Sequence, residues 1–207
     1  MICSKEKYIY IHVPKCAGNS IKDFLNIDGH SHKPLSKEIG QHHDYFSFSF
    51  VRNPWDRLVS AYNYLKKGGI NYTSKNKQNK SNKFYKFMCE LDGLVAQEIN
   101  EYNDFEDFLY GDFFKKQSSL YFSKKMCLHF LPQTFFIDTD IDFIGKVESI
   151  NEDMKYVAKK IGRETKPIKN LNKIDRPDYK QFYNLDTIDF VANIYLDDIL
   201  KFNYEFS

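Results

Sequence analysis

The sequence is poor in four things, and each shortage removes a class of explanation. Cysteine is sparse: Cys3, Cys16, Cys89 and Cys127 stand apart, without CxxC spacing or a histidine cluster beside them. Neither a zinc site nor a disulfide framework is indicated, and reduced thiols are expected. Long apolar runs are missing, since no stretch approaches the roughly 20 residues that a membrane helix needs. The polar start Met1–Glu6 lacks the basic and apolar regions of a signal peptide, so a cytoplasmic protein without a transmembrane segment is expected. Excess charge is missing too: 30 basic residues face 28 acidic ones, for a net +2. Such a balance gives no overall field to recruit nucleic acid, so any polyanion site must be local and no nucleic-acid partner is expected. Internal repeats of solenoid type are absent as well.

What remains is a chain of 207 residues, enough for one domain with a substantial core and too short for two comfortable ones. A single domain over 1–207 is expected. Hydrophobic residues at 42% and charged residues at 28% are ordinary for a globular protein, but 19 Phe and 15 Tyr supply much of the apolar area.

The run Tyr8–Val13 is β-branched and aromatic, stops at Pro14, and leads through a small-residue loop into a helical pattern over Ile21–Leu25. A second run, Phe46–Val51, stops at Arg52-Asn53-Pro54, after which Trp55, Leu58, Val59 and Tyr62 recur at helical spacing. Strands followed closely by helices predict an α/β fold with a P-loop-kinase-like parallel sheet flanked by helices. Ligands of such sheets bind just beyond the carboxyl ends of the strands, where both loops lie. Residues 66–83 carry Lys66, Lys67, Lys75, Lys77, Lys80 and Lys83 with no acid, and read as a mobile basic excursion. Phe84–Leu131 reads as mainly helical, with Phe105, Phe108 and Leu109 on one face. Phe135–Ile137 and Phe143–Val147 read as short strands, Asn151–Ile161 as a helix, and Ile188–Leu200 as a final helical pattern after a polar segment with Asn172 and Arg176.

A loop between a strand and a helix N-terminus offers backbone N–H groups and the positive end of a helix dipole, which suits phosphate. Lys15-Cys16-Ala17-Gly18-Asn19-Ser20 has that character. Lys15 adds a cation, Ala17 and Gly18 let an anion approach the backbone, and Asn19 and Ser20 bring side-chain donors. The lysine precedes the single glycine, so the GxxxxGK[ST] order of a Walker kinase fails. Taken alone, the loop also reads as a helix N-cap at Asn19 or Ser20 behind a solvated lysine. In the second loop Arg52 ends a strand and Ser60 follows eight positions later, about two helical turns on, so a guanidinium and a hydroxyl could converge on one phosphate. The plainer alternative for Arg52 is an ion pair with Asp56 or another local acid. Arg57 and Trp55 read as solvated surface and core packing.

Together IHVPKCAGNSI and FSFVRNPWDRLVSAY resemble the signatures for 3′-phosphoadenosine 5′-phosphosulfate (PAPS) in the Golgi-type carbohydrate sulfotransferases and their bacterial relatives. The resemblance continues through His129-Phe-Leu-Pro-Gln133, Asp142-Phe-Ile-Gly-Lys-Val-Glu148 and YLDDILKFNYEF, nearly the whole chain in order. It implies that Lys15, Cys16, Ala17, Gly18, Asn19 and Ser20 hold the 5′-phosphosulfate and that Arg52 and Ser60 hold the 3′-phosphate. That second phosphate distinguishes PAPS from ATP. Cys16 and Asn19 depart from the threonines common at these places.

Sulfuryl transfer needs an in-line nucleophile, a neutralised leaving oxygen and little covalent help, and the scheme requires no metal. Lys15 is the partner for charge on the bridging oxygen, with 3′,5′-bisphosphate (PAP) as product. Of six histidines, His32 fits the family's general base best by its distance to Ile39 in Gly29–Ile39, His30 next, with His129 a further candidate. His12, on the strand before the loop, reads as packing or orienting. His129 and Gln133 match another recurrent pair and point to the acceptor side, with capping or packing as the alternative. The resemblance implies a carbohydrate acceptor, a polysaccharide or glycolipid. The competing readings are a P-loop-like nucleotide or sugar kinase and a non-catalytic glycan-binding module using the basic excursion.

Overall fold

The computed structural model describes residues 1–29, 31–69, 83–112, 114, 128–169 and 176–207. His30, Cys127, Asn172 and all but the ends of the basic excursion lie outside them. The chain folds as two compact units, one built from Met1–Pro54, Pro132–Lys173 and Tyr195–Ser207 and the other from Trp55–Leu131 and Ile174–Ile194.

The first unit is a four-stranded, mostly parallel α/β sheet with helices packed on it. Its strands are β1 (Ile2–Cys3), β2 (Tyr8–Ile11), β3 (Phe46–Val51) and β4 (Phe143–Lys146), in the spatial order β1-β2-β3-β4. β1 is antiparallel to β2, while β2, β3 and β4 run parallel, pairing Tyr10 with Phe48 and Phe50 with Gly145. Every residue of β2 is buried, which explains why the strand reads as an unbroken apolar run rather than an alternation. The face carrying Tyr8, Tyr10, Phe48 and Phe50 packs against α1 (Gly18–Leu25) through Ile21, Phe24 and Leu25. It also meets the long helix after β4, Ile150–Lys160, through Met154, Val157 and Ala158. Each such aromatic contributes about 1.5–3 kcal/mol by leaving water. Gly145 is required here: a Cβ would lie 2.4 Å from the Phe50 ring. On the alternate positions Ser49 Oγ donates to Ile11 O at 2.8 Å, and Ser47 Oγ donates to Asp142 Oδ2 at 2.7 Å, so these two serine hydroxyls are satisfied.

The short helix α2 (Leu35–Glu38) packs on β2. In the second unit lie α3 (Pro54–Lys66, from Trp55 onward), α4 (Lys83–Asn100), α5 (Phe105–Tyr110) and Leu185–Ile194. Its core is aromatic: Phe108 meets Tyr62, Phe114 and Phe130 at ring separations of 5.1, 5.1 and 5.7 Å. Asp104 caps α5 by accepting from Asp107 N at 2.9 Å.

Three expectations change. Phe135–Ile137 is not a strand: α6 spans Gln133–Phe136, started by Pro132 and by Asp198, whose carboxylate accepts from Gln133 N and Thr134 N at 2.8 Å each. A carboxylate 65 positions away in sequence overrides a local strand pattern. With Ile150–Lys160 as α7, the C-terminal pattern is two helices, α8 (Leu185–Ile194) and α9 (Leu196–Phe202), broken at buried Tyr195. Asp197 and Asp198 in the first turn of α9 favour a new N-terminus there. Arg57, expected in solvent, is 1% exposed and donates to the carbonyls of His129 at 3.3 Å and Leu131 at 2.5 Å. Those carbonyls are over 70 positions distant, so nothing near Arg57 announces them.

Candidate active site

β2 carries the chain to Pro14, and the next residues turn sharply. Lys15 and Ala17 both have left-handed backbone, with φ of 68° and 55°. Neither is glycine, so the loop holds a conformation that costs about 1–2 kcal/mol per residue, a kind of strain that clusters at ligand-binding turns. Ala17 is the N-cap of α1 and supplies no side-chain hydrogen bond, and the first turn holds no acid. The opening N–H groups of the helix therefore face a loop end with no built-in carboxylate, the setting that suits an anion. Lys15 is half-exposed, Asn19 exposed, and Cys16, Gly18 and Ser20 buried.

His12 underlies this turn. A Cβ on Gly18 would lie 1.7 Å from His12 Nε2, so only glycine lets α1 begin against that ring. His12 O in turn lies 3.0 Å from His32 Nδ1, and the two rings are 4.3 Å apart. A carbonyl oxygen only accepts, so His32 Nδ1 carries the proton and, in the neutral ring, Nε2 carries the lone pair. Burial pushes the His32 pKa below the ordinary imidazole value; the bond to His12 O opposes this and the charge of Lys22 adds to it. Ser31, beside His32, donates to Glu38 Oε1 at 2.5 Å, which ties the segment to α2.

Lys22 was not singled out from the sequence. It is buried on α1, donates to Gly29 O at 3.0 Å, and burial lowers its pKa to about 8. A signal existed: Lys22 follows Gly18 by four and precedes Leu25 by three, which puts it on the buried stripe of the helix.

β3 delivers the second loop to the same edge. Arg52 Nη1 donates to Lys15 O at 3.3 Å, so this guanidinium stands at the first turn, while Asp56 pairs with Arg176 instead. The Arg52 backbone is clasped by Gln133, whose Oε1 accepts from Arg52 N and whose Nε2 donates to Arg52 O, both at 2.9 Å. Gln133 Oε1 also accepts from Cys16 Sγ at 3.2 Å. Gln133 is fully buried, in the first unit, whereas Ser60 is half-buried on α3 in the second.

His129 belongs to the second unit, its Nε2 3.9 Å from buried Asp92 Oδ1, and Tyr64 Oη donates to the other carboxylate oxygen at 3.3 Å. Trp55 packs in the core with Nε1 donating to Ile188 O at 3.1 Å.

The C-terminal segment closes on the second loop. Glu148 accepts from Asn53 N at 2.7 Å and from Tyr204 Oη at 3.0 Å, and Asn53 Nδ2 donates to Glu205 O at 2.9 Å. Burial and Glu148 raise the Tyr204 pKa, keeping the phenol protonated as a donor. An open pocket of about 290 Å³ lies past the ends of β3 and β4, lined by Val51, Ile144, Lys146, Lys201, Phe202 and Asn203. Among the described residues no group of His, Cys, Asp and Glu is arranged to hold a metal, and no helix is long and apolar enough to cross a membrane.

Two strand-end loops that bring a lysine, a helix start and an arginine together are suited to an anionic group that must be gripped from both sides. No curated protein and no solved structure matches the chain. The family comparison agrees with the geometry over almost the entire length: residues 1–205 match the model of the sulfotransferase family, and the chain belongs to that family.

Proposed function

We propose that the protein transfers a sulfuryl group from PAPS to a hydroxyl of a carbohydrate acceptor. The observation that carries the reading is the reach of Arg52 to Lys15 O, which sets a bidentate phosphate ligand beside a strained anion turn. In this reading Lys15 to Ser20 hold the 5′-phosphosulfate and Arg52 with Ser60 the 3′-phosphate. The pocket past β3 and β4 gives room for the nucleoside.

The bound donor supplies an electrophilic sulfur and a phosphate leaving group. His32 Nε2 takes the acceptor proton as the acceptor oxygen bonds to sulfur and the bond from sulfur to the bridging oxygen breaks. Lys15 neutralises the negative charge left on that oxygen. The lowered His32 pKa keeps the ring neutral and ready to accept a proton at pH 7.

The test is transfer of sulfur label from PAPS to a panel of polysaccharide and glycolipid acceptors. Label on a glycan, absent with Lys15→Ala, is the expected result. Label on phenols or steroids only would overturn the carbohydrate assignment, and phosphate transfer from ATP would replace it with a kinase.

A further inference from the structure

Resting on the two-loop reading above, we infer that Gln133 is a positioning residue that holds the two phosphate loops in fixed register. Its side chain is fully buried and makes bonds in two directions. Toward β3, it accepts from Arg52 N and donates to Arg52 O, each at 2.9 Å. That pair imitates one rung of a β-ladder just past Val51, the last residue of β3, and so prolongs the ordered backbone by the one residue whose guanidinium must be aimed. Toward the first loop, the same Oε1 accepts the Cys16 thiol at 3.2 Å. Cys16 is buried between Lys15 and Ala17, the two residues with left-handed backbone. One amide thus fastens the middle of the first turn and the root of the second.

The chemistry selects glutamine. The contacts require an oxygen that accepts twice and a nitrogen that donates, at the reach of two methylenes. Glutamate lacks the donor for Arg52 O, asparagine lacks the reach, and leucine lacks both. Gln133 is itself anchored, because buried Asp198 accepts its backbone N–H at 2.8 Å and that of Thr134 at the same distance. The C-terminal helix α9 therefore reaches both loops through a single side chain. In the presence of the nucleotide this register fixes how far the Arg52 guanidinium lies from the cradle, so its loss appears in donor affinity before it appears in folding.

The experiment compares Gln133→Asn and Gln133→Glu with Phe136→Leu, a change at a fully buried neighbour in α6 that touches neither loop through a hydrogen bond. The glutamine variants are expected to weaken PAP binding about tenfold to hundredfold, the effect of losing one or two buried hydrogen bonds. Phe136→Leu, chosen to lower the melting temperature at least as much, is expected to leave PAP affinity within about twofold. Equal losses in affinity for equal losses in melting temperature across all three would overturn the inference, as would normal PAP affinity in Gln133→Asn.

A second arm works through the other partner and survives failure of the glutamine variants to fold. Cys16→Ala removes the donor and is expected to weaken PAP binding several-fold, while Cys16→Ser keeps a donor and restores most of it. No difference between the two contradicts the bridge. A third arm needs no nucleotide: Gln133→Asn should speed hydrogen exchange at the Arg52 amide about tenfold or more, and an unchanged rate rejects the inference. Should the wild-type protein ignore PAP, the proposed function falls, and the exchange arm still decides the role of Gln133.

Discussion

At the level of single residues, His32 and Lys22 form a linked pair of titrating groups under the anion turn. His32→Ala is expected to lower turnover by about 10²–10⁴-fold with PAP affinity nearly unchanged, measured by steady-state kinetics and calorimetry. Near-normal turnover would move the base to His30 or His129. Because the folded His32 pKa lies below its unfolded value of 6.5, the unfolded chain binds more protons between the two. The contribution of this group to stability is complete above about 6.5 and is lost as pH falls toward the folded value. Lys22 has the same sign in another window: with a folded pKa of about 8 against an ordinary 10.5, stability rises as pH climbs from the first to the second. Lys22→Met should abolish that rise in denaturant titrations. It should also move the acid limb of turnover to higher pH, because the Lys22 charge is one of the groups that depress His32. An unmoved limb with a normal Tm would separate the two residues.

Sequence alone conveys part of this. The small residues of PKCAGNS read as an anion loop, but left-handed backbone at Lys15 and Ala17 is invisible because neither residue is glycine. Gly18 looks like a concession to ligand approach, whereas its closest demand is the His12 ring. Arg57 departs from its sequence expectation for a related reason: charge predicts solvent, and only the fold reveals the carbonyls that receive a buried guanidinium.

Among elements, β2 is readable because a parallel strand covered on both faces leaves an uninterrupted apolar run, and β3 because its phenylalanines alternate with serines at strand spacing, with a proline shortly after each. α6 was unreadable because Asp198, far along the chain, starts it. Asp198→Asn should expose that dependence. The amide places a donor against one of two backbone N–H groups, and a hydrogen bond to a charged group is worth roughly 1.5–3 kcal/mol, so unfolding free energy should fall by about that much. PAP affinity should weaken with it, since α6 carries Gln133. Denaturant melts and calorimetry check both, and a variant as stable as the wild type would show that α6 stands without its distant cap. Asp197 and Asp198 together favour the new helix start after Tyr195, where the spacing of Ile188, Val191, Tyr195 and Ile199 suits an unbroken helix.

For the molecule as a whole, membership of the sulfotransferase family sets the reaction class, and the demand on the nucleotide follows from the proposed roles of the two strand-end loops. In the reading proposed above, a donor with phosphate at both ends of its ribose would meet Lys15 to Ser20 with one end and Arg52 with the other, whereas ADP and ATP would offer nothing to the second grip. The most direct measurement is calorimetric binding of PAP, ADP and ATP to wild type and to Arg52→Ala. The account predicts that PAP binds about tenfold to hundredfold tighter than ADP in the wild type and that Arg52→Ala erases most of the difference. ATP binding as tightly as PAP, or a PAP preference untouched by Arg52→Ala, would contradict it.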